Sequence, residues 1–175
     1  MTLRYTGGMT ASYDSNKAQA MRNTAEAFCK AFIAGSPPSE TLDNCFTSDA
    51  KILEHGPTWA TTRLPFLGIT FQGRSSQKFA NAELKNTCDD YYALLASVLS
   101  FHPYDDTMPP KDDFMVDPKR GTVTIKLHAK FASVKTGKSW EEDFIYLLSD
   151  FDENYKIGSQ ELWADPLSAW MAVGD

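Results

Sequence analysis

The sequence lacks the features that mark nucleic-acid-binding and disulfide-stabilised proteins. Its 17 Lys and Arg residues are outnumbered by 23 Asp and Glu residues, which gives a net charge of −6. Because phosphate groups and anionic membranes attract clustered Lys and Arg, we expect neither nucleic acid nor a membrane as a partner. The three cysteines, Cys29, Cys45 and Cys88, are an odd number without close Cys or His spacing. They favour neither a disulfide framework nor a zinc site.

Long hydrophobic runs are also missing from the N-terminal region. Residues 1–14 contain two adjacent glycines and no apolar core, so we expect neither a secretory signal nor a membrane span there and predict a cytoplasmic location. This stretch is predicted to be a flexible arm. Residues 15–175 are predicted to form a single domain, because 42% apolar and 23% charged residues are an ordinary globular composition.

Motifs for several kinds of enzyme are absent as well. The sequence has no glycine-rich phosphate loop, no dinucleotide fingerprint, no His-Glu-x-x-His and no Gly-x-Ser-x-Gly. We therefore expect no cofactor and no metal site. The remaining chemistry is proton transfer by side chains, used to isomerise, cyclise or dehydrate a small molecule.

The last third of the chain carries the clearest structural pattern. Apolar and polar residues alternate over 123–132, which is the period of a half-buried strand. The turn at 136–138 and a second alternating stretch over 139–149 predict a hairpin. A third strand is predicted over 155–163, and the Asp-Pro pair at 165–166 fits the start of a closing helix.

The upstream segments are predicted to supply helices that cover this sheet. Apolar residues at helical spacing predict a helix over 15–34, a short helix after Pro37 and a third helical region over 75–99. A first strand is predicted over 51–55. Another strand, beginning at Phe114, is predicted to pair with the first strand of the hairpin.

This order of elements predicts an α+β fold in which helices cross the concave face of a strongly curved antiparallel sheet. A sheet of this shape encloses a conical pocket suited to an apolar small molecule. The apolar connection over 58–74 either lines the mouth of the pocket or packs against a second subunit.

Four segments also carry a resemblance to a known family. They are residues 54–57 (Glu-His-Gly-Pro), 64–68 with Phe71 and Gly73, 136–144 and 162–170. Through them the chain resembles the NTF2-like superfamily, in particular the SnoaL-like small proteins of fungal secondary-metabolite biosynthesis. The resemblance implies a cone-shaped α+β barrel and a cyclase, isomerase or dehydratase, although the fold also occurs in proteins without catalysis.

Glu142 is the first catalytic candidate because it shares a strand face with Trp140, Phe144 and Tyr146. A carboxylate among aromatic side chains is desolvated, which raises its pKa toward the range useful for proton transfer. The resemblance to relatives with an acidic acid or base in this strand implies the same role. The alternative is that Glu142 faces solvent while the opposite strand face forms the core.

His55 and Glu54 end the first predicted strand, beside a Gly-Pro turn. Their side chains alternate, so one of the two is predicted to point inward. His55 is predicted as a second proton-transfer residue, and a hydrogen bond that caps the turn is the alternative. Arg63 is predicted to bind a carbonyl or carboxylate of the ligand, and a surface position is its alternative.

Several other residues are predicted to line the pocket. His128 lies between Lys126 and Lys130 on one strand face, which is either pocket wall or solvated surface. The remaining pocket candidates are Glu54, Trp59, Phe66, Tyr91, Tyr92, His102, Asp105, Trp140 and Phe144.

The sequence thus favours a cofactor-independent acid/base catalyst acting on an apolar secondary-metabolite intermediate, such as a polyketide. The alternative is a non-catalytic small-ligand-binding or homodimeric interaction module of the same fold. Converging ionisable groups in a closed cavity would favour the enzyme, and an all-apolar cavity the carrier. A homodimer is expected in either case, since convex sheet faces commonly support dimers in this superfamily.

Overall fold

The predicted hairpin of long strands lies at the centre of a seven-stranded sheet. A computed structural model of the chain describes residues 7–79 and 86–174. The strands are β1 (Phe46–Glu54), β2 (Thr70–Gln72), β3 (Leu99–His102), β4 (Met115–Asp117), β5 (Thr122–Ser133), β6 (Ser139–Ser149) and β7 (Ile157–Trp163). Their order is β2-β1-β7-β6-β5-β3, with β4 pairing with the start of β5 and β3 with its end. The sheet is curved and does not close on itself.

Pairing within the sheet follows the predicted hairpins. β5, β6 and β7 are consecutive antiparallel neighbours, and β4 pairs with β5 through a tight turn, as predicted. Only β1 and β7 run parallel to each other among the described strand pairs. The first strand therefore lies beside the last one, which brings segments distant in sequence together in the sheet.

The structure describes four α-helices, and the last two begin with side-chain caps. They are α1 (Gly7–Ile33), α2 (Pro38–Cys45), α3 (Cys88–Val98) and α4 (Pro166–Val173). Thr87 and Asp90 form a reciprocal capping box at the start of α3. Asp165 accepts hydrogen bonds from two backbone N–H groups at the start of α4, where Pro166 occupies the first turn. The predicted closing helix is thus confirmed.

Side-chain alternation decides which face of the sheet is buried. On β5, Val123 and Ile125 are buried while Lys126 is exposed. Phe28 of α1 packs edge-on against Tyr146 of β6, with ring centroids 5.1 Å apart. The helices therefore cover the inner, concave face, which confirms the predicted α+β class.

Three predicted boundaries are corrected. α1 begins at Gly7 rather than at residue 15, because adding turns to an existing helix is much easier than nucleating one; residues 1–6 of the predicted arm lie outside the described residues. β1 begins at Phe46 rather than at residue 51. The predicted third helical region contains a 3₁₀ turn, Ser75–Phe79, and α3 begins only at Cys88; the part of that prediction on residues 80–85 lies outside the described residues.

Within residues 7–79 and 86–174, no helix is both long and apolar enough to cross a membrane.

Candidate active site

A cavity of about 420 Å³ opens between the helices and the concave face of the sheet. Its walls are formed by α1, the start of α2, α3, β3 and the end of β5, and they are mostly apolar. Aromatic rings supply much of that surface, from Phe32, Tyr92, Phe101 and Phe131. We call this space the outer cavity. Its size and lining are typical of a small-molecule site.

A narrower space, the inner cleft, adjoins the outer cavity. The two share four wall residues, Phe32, Leu95, Leu99 and Phe131. The inner cleft has a volume of about 30 Å³, which is room for about two water molecules. Its remaining walls come from β1, β6 and the end of β7, and they include two carboxylates, Glu54 and Glu142.

Glu54 is the last residue of β1, and its side chain points into the core. Its side chain is 6% exposed, and Oε2 accepts a hydrogen bond from the Tyr91 hydroxyl at 2.9 Å. Burial raises the pKa of Glu54 to about 7. The Tyr91 hydrogen bond opposes that rise in pKa, and the negative charge of Glu142 adds to it.

Glu142 lies on the concave face of β6, on the same strand face as Trp140 and Phe144, as the alternation predicts. Trp140 Nε1 and the backbone N–H of Asp165 both donate to Oε2, at 3.0 and 2.9 Å. Burial raises the pKa of Glu142, and these two hydrogen bonds partly offset the rise. Because both donors contact Oε2, the structure shows no protein donor to Oε1 within the described residues.

The two carboxylates lie on either side of β7. Glu54 pairs with Leu162 across the parallel β1–β7 ladder, and Leu162 pairs with Tyr146 across the β6–β7 ladder. Glu142 lies on the same face of β6 as Tyr146. The curvature of the sheet brings both carboxylates to one cleft. Both pKa values are raised by burial, and Glu54, with a pKa of about 7, can hold and release a proton near neutral pH.

His55 lies outside this cleft, on the convex face of the sheet. Its Nε2 is 2.7 Å from Glu161 Oε2, and its ring stacks on Trp163 with centroids 4.1 Å apart. Since His55 follows Glu54 directly, the inward-pointing member of the predicted pair is Glu54. The sequence could not decide between them because both strand faces carry apolar residues.

Arg63 and Trp59 also lie away from the cleft. Arg63 Nη1 donates to the backbone carbonyl of Trp170 at 3.3 Å, and its guanidinium lies 4.1 Å from the centre of the Trp170 ring. Trp59 packs edge-on against the same ring and is largely exposed. These residues join the 58–74 connection to α4 and are not among the residues that line either cavity.

His128, His102 and Asp105 lie on the surface. His128 Nδ1 is 3.0 Å from Asp143 Oδ1, and its ring stacks on Tyr104. His102 is exposed and its Nε2 is 2.9 Å from the Ser100 hydroxyl. Asp105 is exposed in the turn that follows β3. His128 therefore lies on the solvated surface, which was the alternative to a position in the pocket wall.

The aromatic pocket candidates occupy different depths. Phe144 lines the inner cleft and Tyr92 the outer cavity. Tyr91 and Phe66 are buried behind the cleft, packed edge-on against each other. Trp140 stacks on Phe131 and holds Glu142.

The inner cleft contains one polar residue that was not a site candidate, Tyr146. The sequence does carry a signal for it, because Tyr146 lies four residues after Glu142 and alternation places both side chains on one face of β6.

No cluster of three or more His, Cys, Asp or Glu residues is placed to bind a metal ion in the described part of the chain.

Comparison with known proteins gives the fold but no closer relationship. No family model and no curated protein matches the chain. An NTF2-like protein from Burkholderia xenovorans matches with a TM-score of 0.60 and 16% identity, covering 90% of this chain and 98% of the other. A candidate SnoaL-like polyketide cyclase from Jannaschia matches with a TM-score of 0.58 and 9% identity, covering 99% and 97%. TerC, crystallised with polyporic acid, matches with a TM-score of 0.55 and 12% identity, covering 88% and 98%.

These similarities place the chain in the NTF2-like fold, the fold of SnoaL-like proteins. The resemblance found in the sequence is confirmed at this level.

Proposed function

We propose that this protein is a cofactor-independent acid/base catalyst that isomerises or cyclises an apolar small molecule. One observation carries the proposal: two carboxylates whose pKa values are raised by burial line the same narrow cleft, at the end of an apolar cavity. Purely apolar binding would not need two buried carboxylates there, since burying them is unfavourable.

The geometry suggests how the substrate would lie. The inner cleft is too small for a whole metabolite, so only the reacting end enters it, and the apolar body occupies the outer cavity. This arrangement fixes the reacting atoms beside the carboxylates and excludes water from them.

Glu54 and Glu142 would divide the proton transfers between them. With a pKa of about 7, Glu54 is present in both forms near neutral pH, so it can take a proton from carbon or return one. Glu142 is held by two donors to one oxygen, which leaves the other oxygen to meet the substrate. The roles predicted for His55 and Arg63 stay predictions, and the proposal does not use them.

The fold comparisons support the same reaction class. One neighbour of this fold is a candidate polyketide cyclase, and another was crystallised with polyporic acid. A polycyclic or aromatic secondary-metabolite intermediate is therefore the proposed substrate class, and a cytoplasmic location goes with that proposal.

The test uses a two-ring ketone, 2-tetralone, as the probe. The hydrogens next to its carbonyl exchange with D₂O when a base removes them, and proton NMR follows their loss. We expect the protein to accelerate this exchange, Glu54→Gln to remove most of the acceleration, and Glu142→Gln to lower it by about ten-fold or more. Glu153→Gln, an exposed turn position, is the matched control.

Binding of 2-tetralone without accelerated exchange would instead favour the ligand-binding alternative. Exchange that is unchanged in both cleft variants would remove the carboxylates from the mechanism.

We also propose that the chain forms a homodimer through the convex face of its sheet. Ile145 and Trp163 are directly paired on β6 and β7 and are about 40% exposed, at 39% and 41%. Light scattering should give a dimer mass, and Ile145→Lys should shift it toward the monomer.

A further inference from the structure

Gln160 is a buried amide that has no hydrogen-bond partner among the residues that the structure describes. Its side chain is 1% exposed, and neither Oε1 nor Nε2 has a partner. It lies on β7 between Ile52 of β1 and Leu148 of β6, which are both fully buried. Because most buried polar groups in folded proteins are hydrogen-bonded, this amide calls for a physical explanation.

Packing alone does not explain why the residue at position 160 is an amide. A glutamine side chain carries two N–H donors and a carbonyl acceptor, and leaving these groups without partners in a core is unfavourable. Methionine is also unbranched and of similar length, and it would fill the same space without unpartnered polar atoms. The Gln160 amide is therefore expected to find a partner in another state of the protein.

The register of the sheet places Gln160 one step away from the inner cleft. Leu162, the next inward-facing residue of β7, lines the cleft and pairs with Glu54. Gln160 pairs with Ile52, so Glu54 is its diagonal neighbour on the concave face. Diagonal neighbours on adjacent strands lie about 7–8 Å apart, which long side chains can span. Rotation of the Gln160 side chain therefore brings its amide within reach of the Glu54 carboxylate.

Glu54 has an oxygen atom that can accept this donor. Tyr91 donates to Oε2, and the described residues include no donor to Oε1. An ionised carboxylate is an acceptor at both oxygens, and in a buried site its charge must be compensated by hydrogen bonds. Loss of the proton from Glu54 thus creates a need for a second donor, which the Gln160 amide can meet.

The titratable groups that face Glu54 leave this need unmet. Tyr91 of α3 already donates to Oε2. On β6, the negative charge of Glu142 opposes ionisation of Glu54, and burial raises the pKa of Tyr146, which therefore stays protonated. Among the described residues that line the inner cleft, none is cationic. The ionised form of Glu54 therefore depends on neutral donors.

We propose that the Gln160 amide donates a hydrogen bond to the ionised carboxylate of Glu54 and turns away when Glu54 is protonated, which makes Gln160 a positioning residue for the proposed base. The inference rests on the proposed function for the role of Glu54 as a base, whereas the hydrogen bond itself does not depend on catalysis. The bond orients the carboxylate and favours its ionised form.

The test is the titration of Glu54, followed by NMR of ¹³C-labelled glutamate carboxyls and assigned with Glu54→Gln. Gln160→Met should raise the pKa of Glu54 by about one or two, because the ionised form loses a donor. Leu148→Met is the matched control, since it places the same side chain directly beside position 160 without removing a donor. It should leave the pKa of Glu54 unchanged.

Urea unfolding of the same variants gives a second measurement. At pH 5, Gln160→Met should be at least as stable as the wild type, because Glu54 is protonated and the variant lacks the unpartnered amide. Between pH 5 and pH 8, the unfolding equilibrium constant of the variant should rise about five- to ten-fold more than that of the wild type. In the Glu54→Gln background this difference should disappear.

The wild type offers a measurement that needs no substitution of Gln160. The ¹⁵N NMR signals of the Gln160 side-chain N–H groups should move with pH together with the titration of Glu54. The same signals should stay in place over this pH range in Glu54→Gln.

The outcomes separate this inference from the proposed function. An unchanged pKa of Glu54 in Gln160→Met, or Gln160 signals that do not follow the titration of Glu54, overturns the role of Gln160 even if 2-tetralone exchange depends on Glu54. A raised pKa of Glu54 in Gln160→Met, without accelerated exchange by the wild type, supports the hydrogen bond and overturns the proposed function.

Discussion

The hydroxyl of Tyr91 donates a hydrogen bond to Oε2 of Glu54 over 2.9 Å, and both side chains are buried. The bond favours the ionised form of Glu54, whereas burial favours the neutral form and wins, which leaves the pKa at about 7. Tyr91 thus keeps the pKa of Glu54 close to neutral pH.

Replacing Tyr91 with Phe should raise the pKa of Glu54 further, because the carboxylate loses its donor. Hydrogen bonds to charged groups contribute about 1.5–3 kcal/mol, which corresponds to a rise of about one or two in pKa. The pH at which 2-tetralone exchange reaches half its maximum rate should rise accordingly. Tyr92→Phe serves as the control, and a midpoint that stays in place would contradict the role of Tyr91.

Glu54 should also make the stability of the protein depend on pH. Its pKa is raised from 4.5 to about 7 in the folded state, so the folded state binds more protons than the unfolded state between these values. The contribution of Glu54 to stability is therefore largest below about pH 4.5 and falls as pH rises through about 7, by up to about 3 kcal/mol.

Urea unfolding of the wild type and Glu54→Gln can measure this effect. The two should be similarly stable at pH 5, and the variant should be the more stable at pH 8, since it carries no buried charge. Glu153→Gln should show no such change with pH. Equal stabilities of the wild type and Glu54→Gln at pH 8 would mean that the carboxylate is better solvated than its burial suggests.

Two neighbours of Glu142, Trp140 and Asp165, can be substituted with opposite expected effects on the pKa of Glu142. Trp140→Phe keeps the stacking on Phe131 but removes a donor, so the pKa of Glu142 should rise. Asp165→Asn keeps the backbone donor and removes a negative charge, so the pKa should fall. Titration of ¹³C-labelled glutamate carboxyls by NMR, assigned with Glu142→Gln, measures both. Shifts of the same sign would contradict this account.

The sheet could be predicted well from the sequence because the residue patterns that indicate its strands and turns are local. The alternation along β5 and β6, the turn at Gly137 and the Asp165 cap each follow from a few adjacent residues. The Thr87 capping box was also visible in principle, but the apolar residues of α3 suggested a longer helix.

The site was harder to predict because it depends on long-range geometry. Alternation alone grouped Glu142 with Trp140 and Phe144, but it left open whether that face of the strand lies inward. Glu54 and His55 could be separated only by the parallel pairing of β1 with β7, which joins strands from opposite ends of the sequence. Arg63 is held by Trp170, more than a hundred positions away, and nothing in its local sequence indicates this.

The turn between β6 and β7 offers a last test, since these strands carry Glu142 and Leu162. A Cβ at Gly158 would collide with the carbonyl oxygen of Asp150, which is backbone and cannot move aside as a flexible side chain would. Asp150 itself has a positive φ of 53°, so the turn is already tightly constrained.

Gly158→Ala should therefore destabilise the protein by about 2 kcal/mol, the usual effect of overpacking. Gly137→Ala is the matched comparison, because a Cβ there meets no atom within 4 Å but the residue has a φ of 71°. Gly137→Ala should lower the free energy of unfolding by about 1 kcal/mol, because of the backbone conformation alone. Thermal and urea unfolding measure both variants. A smaller loss of stability for Gly158→Ala than for Gly137→Ala would show that the β6–β7 turn can move apart. The rate of 2-tetralone exchange by Gly158→Ala would then report whether the inner cleft opens with the turn.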